Sequence, residues 1–313
     1  MRYLFAFTIL LAFAANSVAG AESPVVMPVD QAFELLKTYD YGELDQPLRV
    51  IELHVGRFAT DAAHKAQIAE RLATYLGDPK SSYAVKVFVC QQLLVVGTEA
   101  QVPLLAKLLD DPRTVEIARF TLDAIPGEAS LVAIRGVAAR LQGLPLVGTL
   151  NSLGLRRDTQ AVPLLTKHVA SGDPQVAAAA AESLGKIATT EAAAALSKAE
   201  VPAKALAALH HAQLQCAERR AAAGDPATAV AMYRQVWSAQ RPTAWRLAGL
   251  LGLVKVAPDQ ATPFVLQTLA SDDPFARSTA MRLSRDLPGQ PVTAALLQQL
   301  DKLDATGQAS LLS

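Results

Sequence analysis

The sequence predicts an all-α protein, a superhelical stack of about seven helical hairpins behind an N-terminal helical cap. Three observations carry that prediction. The segment AVPLLTKHVASGDPQVAAAAAESLGKIAT, Ala161 to Thr189, returns with variations from Gln101 (QVPLLAKLLDDPRTVEIARFTLDAIPG) and from Thr262 (TPFVLQTLASDDPFARSTAMRLSRDLPG). Asp-Pro pairs punctuate the chain at Asp78-Pro79, Asp111-Pro112, Asp173-Pro174, Asp225-Pro226 and Asp273-Pro274, and the 62 residues between the second and third equal two units of 31. The composition is 51% hydrophobic but only 5% aromatic, which favours close-packed helices over sheets.

Residues 1–21 read as a signal peptide. Arg2 and the α-amino group give a positive start, Tyr3 to Ala15 is an apolar run too short for a bilayer span, and Ala19-Gly20-Ala21 supplies small residues before a cleavage expected ahead of Glu22. No cysteine follows the run, which argues against a lipid anchor. The expected product is exported, periplasmic or extracellular. Residues 22–60 read as the cap, with short helices around Asp30 to Lys37 and Pro47 to Arg57, and Tyr39 and Tyr41 between them as a seal on the first repeat. Residues 61–313 read as the stack.

Ala161 to Thr189 serves as the specimen unit. Pro163 fits a first helical turn, where its missing N–H costs nothing. Val162, Leu165 and Val169 then form one stripe. Gly172 is the expected stop. Asp173 is the expected N-cap, with Pro174 opening a second helix whose stripe is Val176, Ala180, Leu184 and Ile187. Ala177 to Ala181 offer little area to bury, so close approach of a neighbour is their expected use. One hairpin alone cannot offset a backbone ordering cost of about 1–2 kcal/mol per residue, so each must be covered by the next. Between the second and third Asp-Pro pairs the pattern degenerates, and GLPLVGTLNSLGLRRD replaces the usual second helix while Leu146, Leu150 and Leu153 keep the stripe. Ala203 to Ala222 reads as one longer helix, and the segment from Gly224 as a tetratricopeptide-like one. At the end, Val292 to Leu303 reads as a first helix and Gln308 opens a second that stops after about one turn, so either more chain follows natively, the favoured expectation, or this end pairs with another molecule.

The Val-Pro-Leu-Leu helix, the Asp-Pro turn and the Ala-rich helix ending Leu-Gly-x-Ile resemble HEAT repeats of the short bacterial, phycobilisome-lyase type. The resemblance covers roughly Ala62 to Leu312 and implies a right-handed α-solenoid of HEAT-like helical hairpins. The segment also looks like the repeat block of large exported planctomycete-type proteins. The resemblance implies a non-catalytic protein-binding scaffold. It allows as alternatives a HEAT-based catalytic or cofactor-handling protein, lyase-like, or a repeat module of a larger envelope carbohydrate-active or haem-binding enzyme.

Little in the residues points to chemistry. Lys plus Arg equal Asp plus Glu at 29 each, which argues against a nucleic-acid partner. No run after the N-terminus approaches membrane-spanning length. None of His54, His64, His168, His210 and His211 is followed by Glu, and no zinc or haem motif is present. The His210-His211 pair cannot readily chelate one ion, and solvated surface histidines are expected. Neither a metal nor a cofactor is expected, nor a catalytic site. Cys90 and Cys216 read as two separate packed thiols, since a linear stack separates them too far for a bridge. The candidate partner-binding residues are five. Asn151 sits mid-helix, where it can tie a neighbouring backbone, and Arg156 and Arg157 follow at the helix end. Trp237 and Trp245 flank the irregular joint, either as binding anchors or as filler.

Overall fold

The computed structural model describes residues 27–238, 241–287, 289, 293, 294, 297, 298, 300 and 308. The signal-peptide reading and nearly all of the C-terminal hairpin therefore lie outside the described residues. Among those described, regular structure is helical throughout.

Two helices, α1 (Val29–Leu36) and α2 (Gln46–Phe58), pack together, and α2 also packs on the first hairpin. Seven hairpins follow: α3 (Ala62–Gly77) with α4 (Tyr83–Val96), α5 (Val102–Leu108) with α6 (Val115–Ala124), α7 (Glu128–Ala138) with α8 (Gly143–Leu155), α9 (Val162–Val169) with α10 (Pro174–Ile187), α11 (Thr190–Lys198) with α12 (Leu206–Ala222), α13 (Pro226–Trp237) with α14 (Thr243–Val256), and α15 (Pro258–Leu269) with α16 (Pro274–Ser284). The second helices stack in order from α4 to α16 as one layer, and first helices line up as α3–α5–α7 and α9–α11–α13 in the other. One apolar cluster runs between the layers from Ala32 to Leu287. The chain is an all-α solenoid.

The specimen stripes are buried throughout: Val162, Leu165 and Val169 on α9, and Val176, Ala180, Leu184 and Ile187 on α10. Asp173 caps α10, its Oδ1 accepting from the Gln175 N–H at 2.8 Å, and Pro174 opens the helix. The close approach expected of the alanines is carried further by two glycines. A Cβ on Gly154 would lie 2.7 Å from the Ser183 Cα, and one on Gly185 would lie 2.9 Å from the Ala212 Cα. So α10 is wedged between the backbones of α8 and α12. Ser183 ties the first seam, its hydroxyl donating to the Leu150 carbonyl at 2.9 Å.

Several local expectations need correction. Gly172 is not the stop of α9: the helix ends at Ala170 with φ −86°, and the left-handed residue of this hairpin is Ala188, φ 54°, after α10. Asp225 and Asp273 cap their helices as Asp173 does, but Asp78 and Asp111 do not. Each instead turns the chain by accepting from the N–H two residues on, Lys80 and Arg113, and the helix begins later, at Tyr83 and Val115. The degenerate repeat is a complete hairpin, with α8 in its second-helix place. The long helix from Ala203 opens as a 3₁₀ turn and becomes α12 at Leu206. Of the two tyrosines, Tyr39 is buried but Tyr41 is exposed. Cys90 on α4 and Cys216 on α12 are separate buried thiols, and burial pushes both up to about 11.

Candidate functional site

Two regions stand apart from the regular stack, and the five sequence candidates fall into them. The first is the outward side of α4, α6 and α8. Both α4 (YAVKVFVCQQLLVV) and α8 (GLPLVGTLNSLGL) are largely apolar, with apolar residues on more than one face, closer to the pattern of a covered helix than of a surface one. Yet Leu94 and Val95 on α4, Phe120 on α6, and Leu144 and Leu155 on α8 are exposed, Leu155 to 70%.

Beneath Phe120 lies a polar seam between α6 and α8. The Arg119 guanidinium packs over the Phe120 ring at 4.2 Å and against Gly148, where a Cβ would lie 2.9 Å from its Nε. Arg119 pairs with Glu116 at 2.6 Å and Asp123 at 3.3 Å, and donates to the Ser152 hydroxyl at 2.8 Å. Ser152 in turn donates to Asp123 at 2.6 Å. Three buried atoms have no partner: Glu116 Oε1, Arg119 Nε and Asp123 Oδ1. Burial raises the Asp123 carboxyl above the ordinary carboxylate range, outweighing Ser152, Arg119 and Arg156, which pull the other way.

Of the sequence candidates here, Asn151 is half-buried on α8 and its side chain makes no hydrogen bond among the described residues. The tie to the next repeat expected of it is made by Ser183 instead. Arg156 is engaged inside the chain, donating to the carbonyls of Leu122, Asp123, Ile125 and Gly127. It closes the C-terminal end of α6, where carbonyls lack helical partners. Arg157 is exposed, with φ 50°. Sequence reasoning missed Asp158, buried behind Arg157, which accepts from Arg135 and caps the short 3₁₀ turn Thr159–Ala161. It also missed Arg119; the one available signal was a charge on an otherwise apolar stripe.

The second region is the joint of α12, α13 and α14. Trp237 is buried, edge-on to Phe264 with ring centroids 4.8 Å apart, and donates to the Thr268 hydroxyl at 3.4 Å. It packs the core and offers no outer face. Trp245 is half-buried in the first turn of α14, edge-on to His210 at 5.4 Å. His210 is not the solvated histidine expected: it is 6% exposed, while His211 beside it faces solvent. Burial first, and the Arg241 charge second, lower His210 to about 4. Among the described residues no group of three or more His, Cys, Asp or Glu is placed to hold a metal ion, and no helix is long and apolar enough to cross a membrane.

Residues 148–214, from α8 into α12, match the family of HEAT repeats. A homology model of the full-length AP-3 complex in an intermediate open conformation is similar in fold, with TM-score 0.53 and 13% identity. The match covers 87% of this chain and 53% of that one, so this chain spans about half of its length. The complex of CpcE and CpcF of phycocyanin lyase from Nostoc sp. PCC7120 aligns at 16% identity over 88% of this chain and 98% of that one, with TM-score 0.38. No curated protein matches the sequence.

Proposed function

We propose that this HEAT-repeat solenoid is a non-catalytic scaffold whose protein partner docks on the outward side of α4, α6 and α8. The observation that carries the reading is the mismatch between composition and exposure: two largely apolar helices leave Leu94, Val95, Leu144 and Leu155 in water, and Phe120 on α6, the helix between them, is exposed as well. Exposed apolar residues on neighbouring helices mark interaction sites, and an aromatic among them is the usual anchor. Arg119 fixes that ring from below, so little side-chain freedom is lost when a partner covers it.

The scaffold is also proposed to work outside the cytoplasm, on the strength of Arg2, the apolar run and Ala19-Gly20-Ala21. In cells of origin, a photoreactive residue at Leu94 or Leu155 should give one discrete protein adduct. Phe120→Ala should abolish it without lowering the melting temperature appreciably. Adducts that form equally from exposed Lys167 on α9, or that survive Phe120→Ala, would sink the docking reading. N-terminal sequencing of the exported fraction should start near Glu22, and an intact Met1 there would sink the export reading.

A further inference from the structure

We propose that the N-terminus of α14 is an oxyanion-binding site, formed by Arg241, Arg246 and His210 with the opening N–H groups of the helix. The rest of the chain sets the standard against which this corner departs. Among the other buried or half-buried guanidinium groups, Arg119 has Glu116 and Asp123, Arg135 has Glu128 and Asp158, Arg220 has Asp225 at 2.7 Å, and Arg156 and Arg277 donate to backbone carbonyls. Arg241 and Arg246 are half-buried and have no such partner. Arg241 Nη1 and Arg246 Nε are buried donors with no acceptor. Burial alone lowers the Arg241 pKa, with no acidic neighbour opposing it.

The helix adds to the same field. α14 runs for 14 residues from Thr243 and starts at Pro242, which offers no side-chain cap. The Trp245 and Arg246 N–H groups turn back to the Pro242 carbonyl, at 3.0 and 3.2 Å, while the N–H groups of the first turn before them lack helical acceptors. The positive end of the macrodipole is therefore next to the Arg241 guanidinium, with no acceptor at Nη1, and to that of Arg246, which lies 5.7 Å from the Trp237 ring centroid and has no acceptor at Nε. His210 supplies a third, independent sign. It is 6% exposed, its ring packs on Trp245 in that first turn, its Nδ1 is buried without a partner, and the charged neighbour acting on it is Arg241. Gln213, another buried polar side chain on α12, donates its amide N–H to the Leu196 carbonyl on α11 at 2.8 Å, and its Oε1 is buried without a partner.

Cations, helix N–H groups and an imidazole without a carboxylate among them are the donor set of an oxyanion site. A phosphate or a carboxylate satisfies it, whether as a free solute or on an acidic side chain of a bound protein. The site lies well along the chain from α4, α6 and α8, and it stands or falls independently of partner docking there.

The test is to titrate the protein with inorganic phosphate, and separately with acetate, at constant ionic strength, following the His210 imidazole by NMR. A saturable 1:1 response is expected, with the His210 pKa rising from about 4 because a nearby anion favours the imidazolium. Arg241→Gln should weaken it about tenfold or more, and Arg246→Gln gives the same reading should the first variant fold poorly. A response to phosphate points to a phosphate-bearing solute, and one to acetate alone to an acidic side chain. Either supports the site. No saturable response to either anion, or a response unchanged in both variants, would overturn it.

Discussion

Between α8 and α12 the helices meet through glycine, alanine and one serine. Between α6 and α8, and again between α12 and α14, they meet through arginine, phenylalanine, tryptophan and histidine. The first arrangement brings backbones together and leaves no volume for a polar side chain, so on α9, α10 and α11 no buried side-chain N or O is without a partner. The second holds helices apart with large groups, whose polar atoms must be buried along with their apolar bodies. Every such unpartnered atom found lies on α6, on α12, at Arg241 or on α14. The lesson is that small-residue packing completes a repeat, while large-residue packing leaves it chemically unfinished and open to a ligand or partner. The match to HEAT repeats, residues 148–214, takes in this completed part together with most of α8 and the first half of α12, His210 and Gln213 included.

The largest test of this contrast is truncation. Leu184→Ala in the middle should cost about 2–5 kcal/mol, whereas Leu155→Ala, in water on α8, should stay within about 0.5 kcal/mol. Urea melts that rank them otherwise would break the comparison. The next test adds volume instead of removing it. Gly154→Ala and Gly185→Ala should each destabilise by about 1–3 kcal/mol through overpacking. Gly136→Ala on α7, where an added Cβ meets nothing within 4 Å, should stabilise by about 0.5–1 kcal/mol. A smaller loss, about 0.5–2 kcal/mol, is expected for Asp173→Ala, which removes only a cap.

The finest test uses pH. Asp123 in the flank has a raised pKa, so its contribution is present at pH below its unfolded value and is lost as pH rises through the folded value. Asp225, held down to about 2 by Thr228 first and Arg220 next, has the opposite sign: its contribution is present above the ordinary Asp value of about 3.9 and is lost as pH falls toward 2. Denaturation followed from pH 2 to 8 should show the two slopes, and Asp123→Asn should remove the first alone. Identical pH profiles for wild type and Asp123→Asn would show that the seam is not strained by burial.

The architecture was legible in the sequence because helical periodicity and Asp-Pro spacing are local signals. Leu146, Leu150 and Leu153 show that the stripe survives even where the second-helix motif is lost. Capping was less legible. The same Asp-Pro pair caps a helix at 173 and turns the chain ahead of one at 78, because Ser82 offers a second cap three residues before Val85 and its hydroxyl takes that N–H at 3.1 Å. The candidate sites were half legible. Asn151, Arg156 and Trp245 led to the right helices, but the residues that matter there, Arg119, Asp123, His210 and Arg241, carry no motif. Their importance comes from what does not face them, and a missing neighbour is invisible along a one-dimensional chain.

The nearest-neighbour layering of the hairpins bears on how the chain acquires its shape. The longest side-chain tie described, from Ser82 to the Tyr39 carbonyl, spans 43 residues, and each hairpin is in contact with the ones next to it. Contacts this local give fast folding, because little loop-closure entropy precedes each gain. The fold can also grow from one end, a hairpin docking as soon as it emerges, without waiting for the far end of the chain. Each newly added segment then has a finished surface to settle on.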